Sequence, residues 1–307
     1  MVQENDTHIH EFILVGFPST PELQALLFII FLAVYLLTVT ENILIITLII
    51  TNHQLHKPMY FFLGHLAFLE ACYISVTVPK LLLNFVVNKT ISFAGCMAQL
   101  YFFIALVCTE CELLAVMAYD RCVAVCSPLH YALTMSRRAC VQLATGSWLL
   151  GFLTAVLKVF FISQLSFCGP SVINHFFCDV SPLLNLSCTQ RRVAEVVDFV
   201  SALFILLIPL FVIIVSYICI ISTVLLIPTA QSRTKAFTTC ASHLVVVIIF
   251  FSATLFMYAR PRSINSRDLN KLVSIIYTIV TPMLNPLIYC LRNQEVKDTL
   301  WKVLCSR

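Results

Sequence analysis

Charge is what this chain lacks. Asp, Glu, Lys and Arg supply 11% of its 307 residues, where a soluble protein carries about 25%. Hydrophobic residues supply 60% and the mean hydropathy is +0.95. That much apolar surface cannot be kept from water by folding alone, so the composition excludes a soluble protein and requires an integral membrane one. The formal charge of +4 is small and offers no basic field for a nucleic-acid partner. Residues Met1 to Thr20 lack a basic start and a cleavable signal, so the first apolar run is expected to act as an uncleaved anchor. No internal repeat and no low-complexity segment is evident. The 14 cysteines lie mostly inside apolar runs, where a thiol behaves as a small hydrophobe.

What the chain has instead is long apolar runs. Seven approach or exceed the roughly 20 residues a bilayer requires: about 23–50, 58–86, 94–125, 139–162, 196–227, 236–258 and 272–291. The expected fold is therefore an all-α membrane protein, a seven-transmembrane helix bundle spanning 23–291. An N-terminal segment, 1–22, precedes it. One long connection, 163–195, lies on the N-terminal side. In the tail, 292–307, Val296, Leu300, Trp301 and Leu304 alternate with Glu295, Lys297, Asp298 and Lys302, which reads as a short amphipathic helix on the lipid surface. Cys305 beside it is a candidate for palmitoylation.

The third run organises the rest. Cys96 opens it, and Asp120 and Arg121 follow 24 and 25 residues later. At about 1.5 Å per residue they stand about 37 Å beyond that cysteine, more than the roughly 30 Å of hydrocarbon. The cysteine and the charged pair therefore belong to opposite sides. Lys and Arg divide nearly evenly between the sides, so orientation rests on the Asn5-Asp6-Thr7 and Asn88-Lys89-Thr90 sequons, which make Asn5 and Asn88 candidate glycan acceptors. Cys96, Cys168, Cys178 and Cys188 fall on that same face, an even set that implies disulfides. The N-terminus is expected outside and the C-terminus inside.

Five stretches carry a family resemblance: Leu55-His56-Lys57-Pro58-Met59-Tyr60-Phe61-Phe62-Leu63, Met117-Ala118-Tyr119-Asp120-Arg121, Ser127-Pro128-Leu129-His130-Tyr131, Lys235-Ala236-Phe237-Thr238-Thr239-Cys240-Ala241-Ser242-His243-Leu244 and Pro282-Met283-Leu284-Asn285-Pro286-Leu287-Ile288-Tyr289. Together, in order and over nearly the whole chain, they resemble the olfactory receptors among the rhodopsin-like G-protein-coupled receptors. The chain departs from the family pattern at Cys122, where a tyrosine usually follows Asp-Arg, at Glu41 and Glu70, and at Phe251-Ser252. The resemblance implies a plasma-membrane receptor that binds a small-molecule odorant, activates a stimulatory olfactory-type G protein and raises cyclic AMP. It needs no cofactor.

The resemblance also implies roles. Cys96–Cys178 and Cys168–Cys188 are the expected disulfides. Asp120 holds Arg121 at rest; as a bare sequence feature the pair reads equally as a snorkelling anchor. Arg233 and Lys235 flank the coupling face, Tyr217 and Tyr289 rearrange on activation, and Asn285 and Pro286 mark the seventh helix. Asn42, Glu70 and Glu110 form a polar centre, either a structural hydrogen-bond hub or a site for a cation or shared proton. Glu41 and Glu112 are the other acids within the runs.

Helical spacing puts Phe103, Ile104, Val107, Cys108 and Cys111 on one face of the third helix, in its outer half. With Ala202 and Ile205, and with Phe251, Thr254, Leu255 and Tyr258, they form the expected pocket wall. It suits an apolar ligand with one polar group, and no acid or base in this set would pair a charged one. A stripe of this kind also serves plain helix packing. Cys108-Thr109-Glu110-Cys111 lacks partner ligands at metal spacing, so no metal is expected, and His175 reads as a loop-packing group. A transporter is disfavoured by the absence of repeated halves. A retinal photoprotein would need a lysine within Leu272–Leu291, which has none. No Ser/His/Asp or metal cluster points to an enzyme.

Overall fold

The computed structural model of the chain describes residues 11–17, 20–87, 89–167, 171–188, 191–259, 267–292, 296–297 and 299, apart from the side chains at 230, 232, 235–239, 242, 258–259, 267–270, 287 and 289–292. Helices dominate. In chain order they are α1 (Pro21–Thr51), α2 (Pro58–Val86), α3 (Phe93–Cys126), the short α4 (Tyr131–Thr134), α5 (Arg137–Ser163), the short α6 (Val180–Leu186), α7 (Arg192–Leu225), α8 (Ala230–Ala259), α9 (Arg267–Ile275) and α10 (Thr281–Arg292). A π-helical turn, Ile276–Val280, joins the last two, so one span is continuous from 267 to 292. Among the described residues five helices, α1, α2, α3, α5 and α7, are long and apolar enough to cross a membrane, and α8 carries a shorter apolar stretch, His243–Met257.

Local chemistry sets the helix starts. Pro21 and Pro58 occupy first-turn positions, where a missing N–H costs nothing. Thr20, Ser92 and Ser136 cap α1, α3 and α5 by accepting from Leu23, Gly95 and Ala139 N–H.

The bundle is inverted relative to a water-soluble fold. Ile29, Leu153 and Phe211 stand 63–67% exposed, while Asn42, Glu70, Thr109, Glu110, Asp120, His243 and Asn285 are buried. Polar groups turned inward and apolar ones outward fit a lipid surround. Central to the bundle is α3, which packs on α2, α5, α7 and α8. Its tightest neighbour is α5, whose buried positions include Ala144, Ser147, Gly151 and Ala155, small residues that let two backbones approach.

The helical expectation omitted a small three-stranded sheet. Strand β1 (Glu11–Leu14) lies between β2 (Thr90–Ser92) and β3 (Val172–Ile173), antiparallel to the first and parallel to the second. It gathers the N-terminal segment, the α2–α3 connection and the long loop at one end of the bundle. Phe12 and Leu14 are fully buried beneath it, Phe12 meeting Phe167 edge-on at 5.4 Å. Of the expected tail helix, Val296 and Thr299 are buried; Leu300, Trp301, Leu304 and Cys305 lie outside the described residues, as do Asn5 and Asn88.

A Cβ added at Gly151 would sit 2.1 Å from Thr109 Oγ1 and 2.7 Å from the Ala105 carbonyl. The second atom is backbone and cannot swing aside. Gly151→Val should therefore force α3 and α5 apart, at about 1–3 kcal/mol or more, and lower both melting temperature and surface expression; Gly146→Ala, where an added Cβ meets nothing within 4 Å, should leave both near wild type. A thermal melt of the two purified variants checks this.

Candidate functional site

At the sheet-bearing end of α3, Cys96 is bonded to Cys178, with Cα atoms 5.5 Å apart. Gln99, one helical turn on, fixes the same loop: its Oε1 accepts from Cys178 N–H at 3.0 Å and its Nε2 donates to the Val76 carbonyl at 2.9 Å. Asp179 follows directly, caps α6 by accepting from Val180 N–H at 2.8 Å, and comes to face the bundle. Cys188 is also disulfide-bonded; its expected partner Cys168 lies outside the described residues. His175 packs the loop, stacked on Phe176 and within 3.2 Å of Ser274 Oγ through Nε2. Burial and the Lys271 charge push its imidazole down to about 3, so it is neutral at physiological pH.

Beneath the loop lies a cavity of about 280 Å³. Phe103 and Val107 of α3, Phe199 of α7, Thr254 and Met257 of α8, and Tyr277 of the π-turn supply its helical wall. Of the wall read from sequence, Phe103, Val107 and Thr254 line it. Ile104, Cys108, Cys111, Ala202 and Phe251 are buried in helix contacts and Leu255 is partly buried, while the Tyr258 side chain lies outside the described residues. Ile205 lines a different, outward-facing groove with Glu112.

One expectation is corrected here. The cavity was read as free of charge, yet Asp179, Glu195 and Asp198 line it. The sequence placed the start of the fifth span near 196, but α7 begins at Arg192. Two ion pairs extend it: Arg191 Nε to Glu195 Oε1 at 2.8 Å, and Lys158 Nζ of α5 to Asp198 Oδ1 at 2.9 Å. The lysine is 3% exposed and continues the small-residue face of α5.

At mid-depth Asn285 donates through Nδ2 to Glu70 Oε1. Glu110 stands close enough for the two carboxyls to act on each other electrostatically. Asn42 donates to the Thr38 carbonyl at 2.9 Å. Among the described residues, Glu110 Oε1, Asn42 Oδ1 and the Tyr73 hydroxyl are buried without a hydrogen-bond partner, so this centre holds more polar atoms than those residues pair.

At the opposite end Asp120 is gripped on both oxygens. Arg121 donates to Oδ2 through Nη2 at 2.6 Å and Nε at 3.1 Å, and the Tyr131 hydroxyl donates to Oδ1 at 2.8 Å. Burial and the Asp120 carboxylate push the Tyr131 phenol up, so it remains a donor. Cys122 sits 3.9 Å from Cys126, sulfur to sulfur. The Tyr217 hydroxyl meets His243 Nδ1 at 2.8 Å and the Cys240 carbonyl at 3.1 Å, and His243 Nε2 meets the Leu114 carbonyl at 3.1 Å. A carbonyl only accepts, so Nε2 carries the hydrogen. One imidazole thus ties α8 to both α3 and α7. Arg233 donates to the Ile227 carbonyl at 3.0 Å, Pro286 is buried within α10, and the Lys235 and Tyr289 side chains lie outside the described residues.

Sequence reasoning gave no role to His243, although a histidine inside an apolar run was a legible signal. Asp198 and Lys158 also carried one, as opposite charges near the same ends of two apolar runs. Asp179 carried none, because only the loop fold brings it inward. Among the described residues no group of His, Cys, Asp and Glu is arranged to hold a metal.

Comparison with known proteins follows the same lines. The family model described as "Olfactory receptor" matches residues 31–307. Human olfactory receptor 6B1 is 61% identical over 304 residues, covering 99% of this chain and 97% of that protein. Rat olfactory receptor 226 is 57% identical over 96% of this chain and 92% of its own, and mouse olfactory receptor 6B9 is 57% identical over 99% and 96%. The chain belongs to the olfactory receptor family. It is a multi-pass membrane receptor and not an enzyme.

The grip on Asp120 yields a test. Tyr131→Phe deletes one hydrogen bond to a charged group, about 1.5–3 kcal/mol, and leaves the Arg121 pair in place. The melting temperature of the purified receptor should therefore fall; an unchanged melt would show that the Tyr131 bond adds nothing to the hold on Asp120.

Proposed function

We propose that the chain is an odorant receptor of the plasma membrane, with its N-terminus outside. It takes a small, mostly apolar volatile molecule into the cavity under the long loop and activates a stimulatory, olfactory-type G protein to raise cyclic AMP. The observation that carries this reading is that one helix, α3, bears the cavity wall at one end, through Phe103 and Val107, and the Asp120–Arg121–Tyr131 cluster at the other. A ligand wedged between α3, α7 and α8 acts on the helices that the Tyr217–His243–Leu114 contacts hold together. Releasing α8 would open the face beside Arg121, whose guanidinium is then the donor offered to the G protein. Arg233, at the start of α8, lies on that side.

Two variants probe the reading. Arg121→Ala should abolish ligand-stimulated cyclic AMP while surface receptor, counted by antibody, is retained; an undiminished response would transfer the role to Arg233 or Lys235. Glu110→Gln keeps the side-chain shape and removes the charge from the polar centre. Basal signalling or its sodium dependence should change while the order of ligand potencies stays the same. Unaltered signalling at every sodium concentration would leave Glu110 a packing group, and a reordered potency series would place it against the ligand.

A further inference from the structure

The acids around the cavity are unequally compensated. Asp198 has Lys158 at 2.9 Å and Glu195 has Arg191 at 2.8 Å. Asp179 makes one hydrogen bond, from Val180 N–H to Oδ1, and among the described residues no cation forms an ion pair with it. Another buried cation at this end, Lys271, is directed to the Gly16 carbonyl at 2.6 Å. Of the three carboxylates that line the cavity, two have an ion-paired cation and Asp179 is the one that has none among the described residues, the Lys158 charge reaching it only electrostatically. Half-buried Asp179 lines the cavity. Burial pushes its carboxyl up to about 6, which leaves it mostly ionised at neutral pH. The opposing wall is aromatic and aliphatic: Phe103, Val107, Phe199, Met257 and Tyr277.

From this arrangement we infer that the receptor is selective for small aliphatic amines, the ammonium group bonding to Asp179 and the alkyl chain lying against the Phe103 side of the cavity. The inference rests on the proposed function, which makes this cavity the ligand site. An ammonium offers three donors and the charge the cavity lacks, and a charge-assisted bond out of bulk water is the strongest single contact available there. A hydroxyl offers one neutral donor. A carboxylate adds like charge beside Asp179 and Asp198 and is rejected. A volume of about 280 Å³ is near the lower end of the roughly 300–1,000 Å³ typical of ligand pockets, which favours short chains.

The test uses the full-length receptor in cells, with cyclic AMP as readout and surface receptor counted in parallel. The probes are straight-chain primary amines, alcohols and carboxylates of four to ten carbons. At matched chain length the amine should be more potent than the alcohol by about tenfold or more, with the carboxylate silent. Asp179→Asn keeps a side-chain oxygen to cap α6 and removes the charge; it should bring amine and alcohol within about threefold of each other. The wild-type head-group order decides the matter even if that variant fails to reach the surface. Alcohols or carboxylates equalling the amines, or an amine preference that survives Asp179→Asn, would overturn the inference and leave the receptor reading standing. Silence of surface-expressed receptor to every amine would also overturn the amine selectivity, while the proposed function stands or falls separately on the Arg121→Ala and Glu110→Gln variants.

Discussion

Hydrocarbon neither donates nor accepts hydrogen bonds, and the inward placement of the buried polar side chains in this bundle follows from that. Glu70, Glu110, Asp120 and His243 have nowhere to go but the bundle interior, and α3 is the element they gather around. The outer faces can then be apolar without penalty, as Ile29, Leu153 and Phe211 illustrate. Several inward polar groups find their partners on another helix, so the helices are joined by a few directed contacts. The bonds Asn285 to Glu70, Lys158 to Asp198 and His243 to Leu114 each join a different pair. Directed contacts of this kind have discrete alternatives, which uniform apolar packing lacks.

The two ends of α3 are built to different rules. At the sheet-bearing end the chain is fixed covalently and by backbone pairing: the Cys96–Cys178 bond, Gln99 against Cys178, and β1 between two loop strands. That rigidity places Asp179. At the other end the fixings are side-chain hydrogen bonds on Asp120 and Tyr217, reversible without moving backbone. The polar centre between them keeps acceptors on Glu110 and Asn42 that no described residue pairs.

Much of the fold was legible because lipid imposes long unbroken apolar runs, which a sequence displays directly; the runs begin and end within a few residues of α1, α2, α3 and α5. The later start expected for α7 erred where charge interrupts apolarity, since Glu195 and Asp198 look like loop residues until their partners Arg191 and Lys158 are seen. Strands of four, three and two residues carry no period to read, which hid the sheet. In the site, helical spacing put Phe103 and Val107 on one face of the third helix, and both line the cavity, as does Thr254. It missed Asp179, whose position depends on a disulfide and a loop turn. Ile205, expected in the pocket wall, is buried in the bundle and lines the groove with Glu112.

The near-contact of backbones at Gly151 has a mechanical consequence. With Thr109 and the Ala105 carbonyl already against the glycine, α3 and α5 have no slack and behave as one stator. The 267–292 span is built the other way, its regular hydrogen-bond ladder broken by a π-turn and by Pro286.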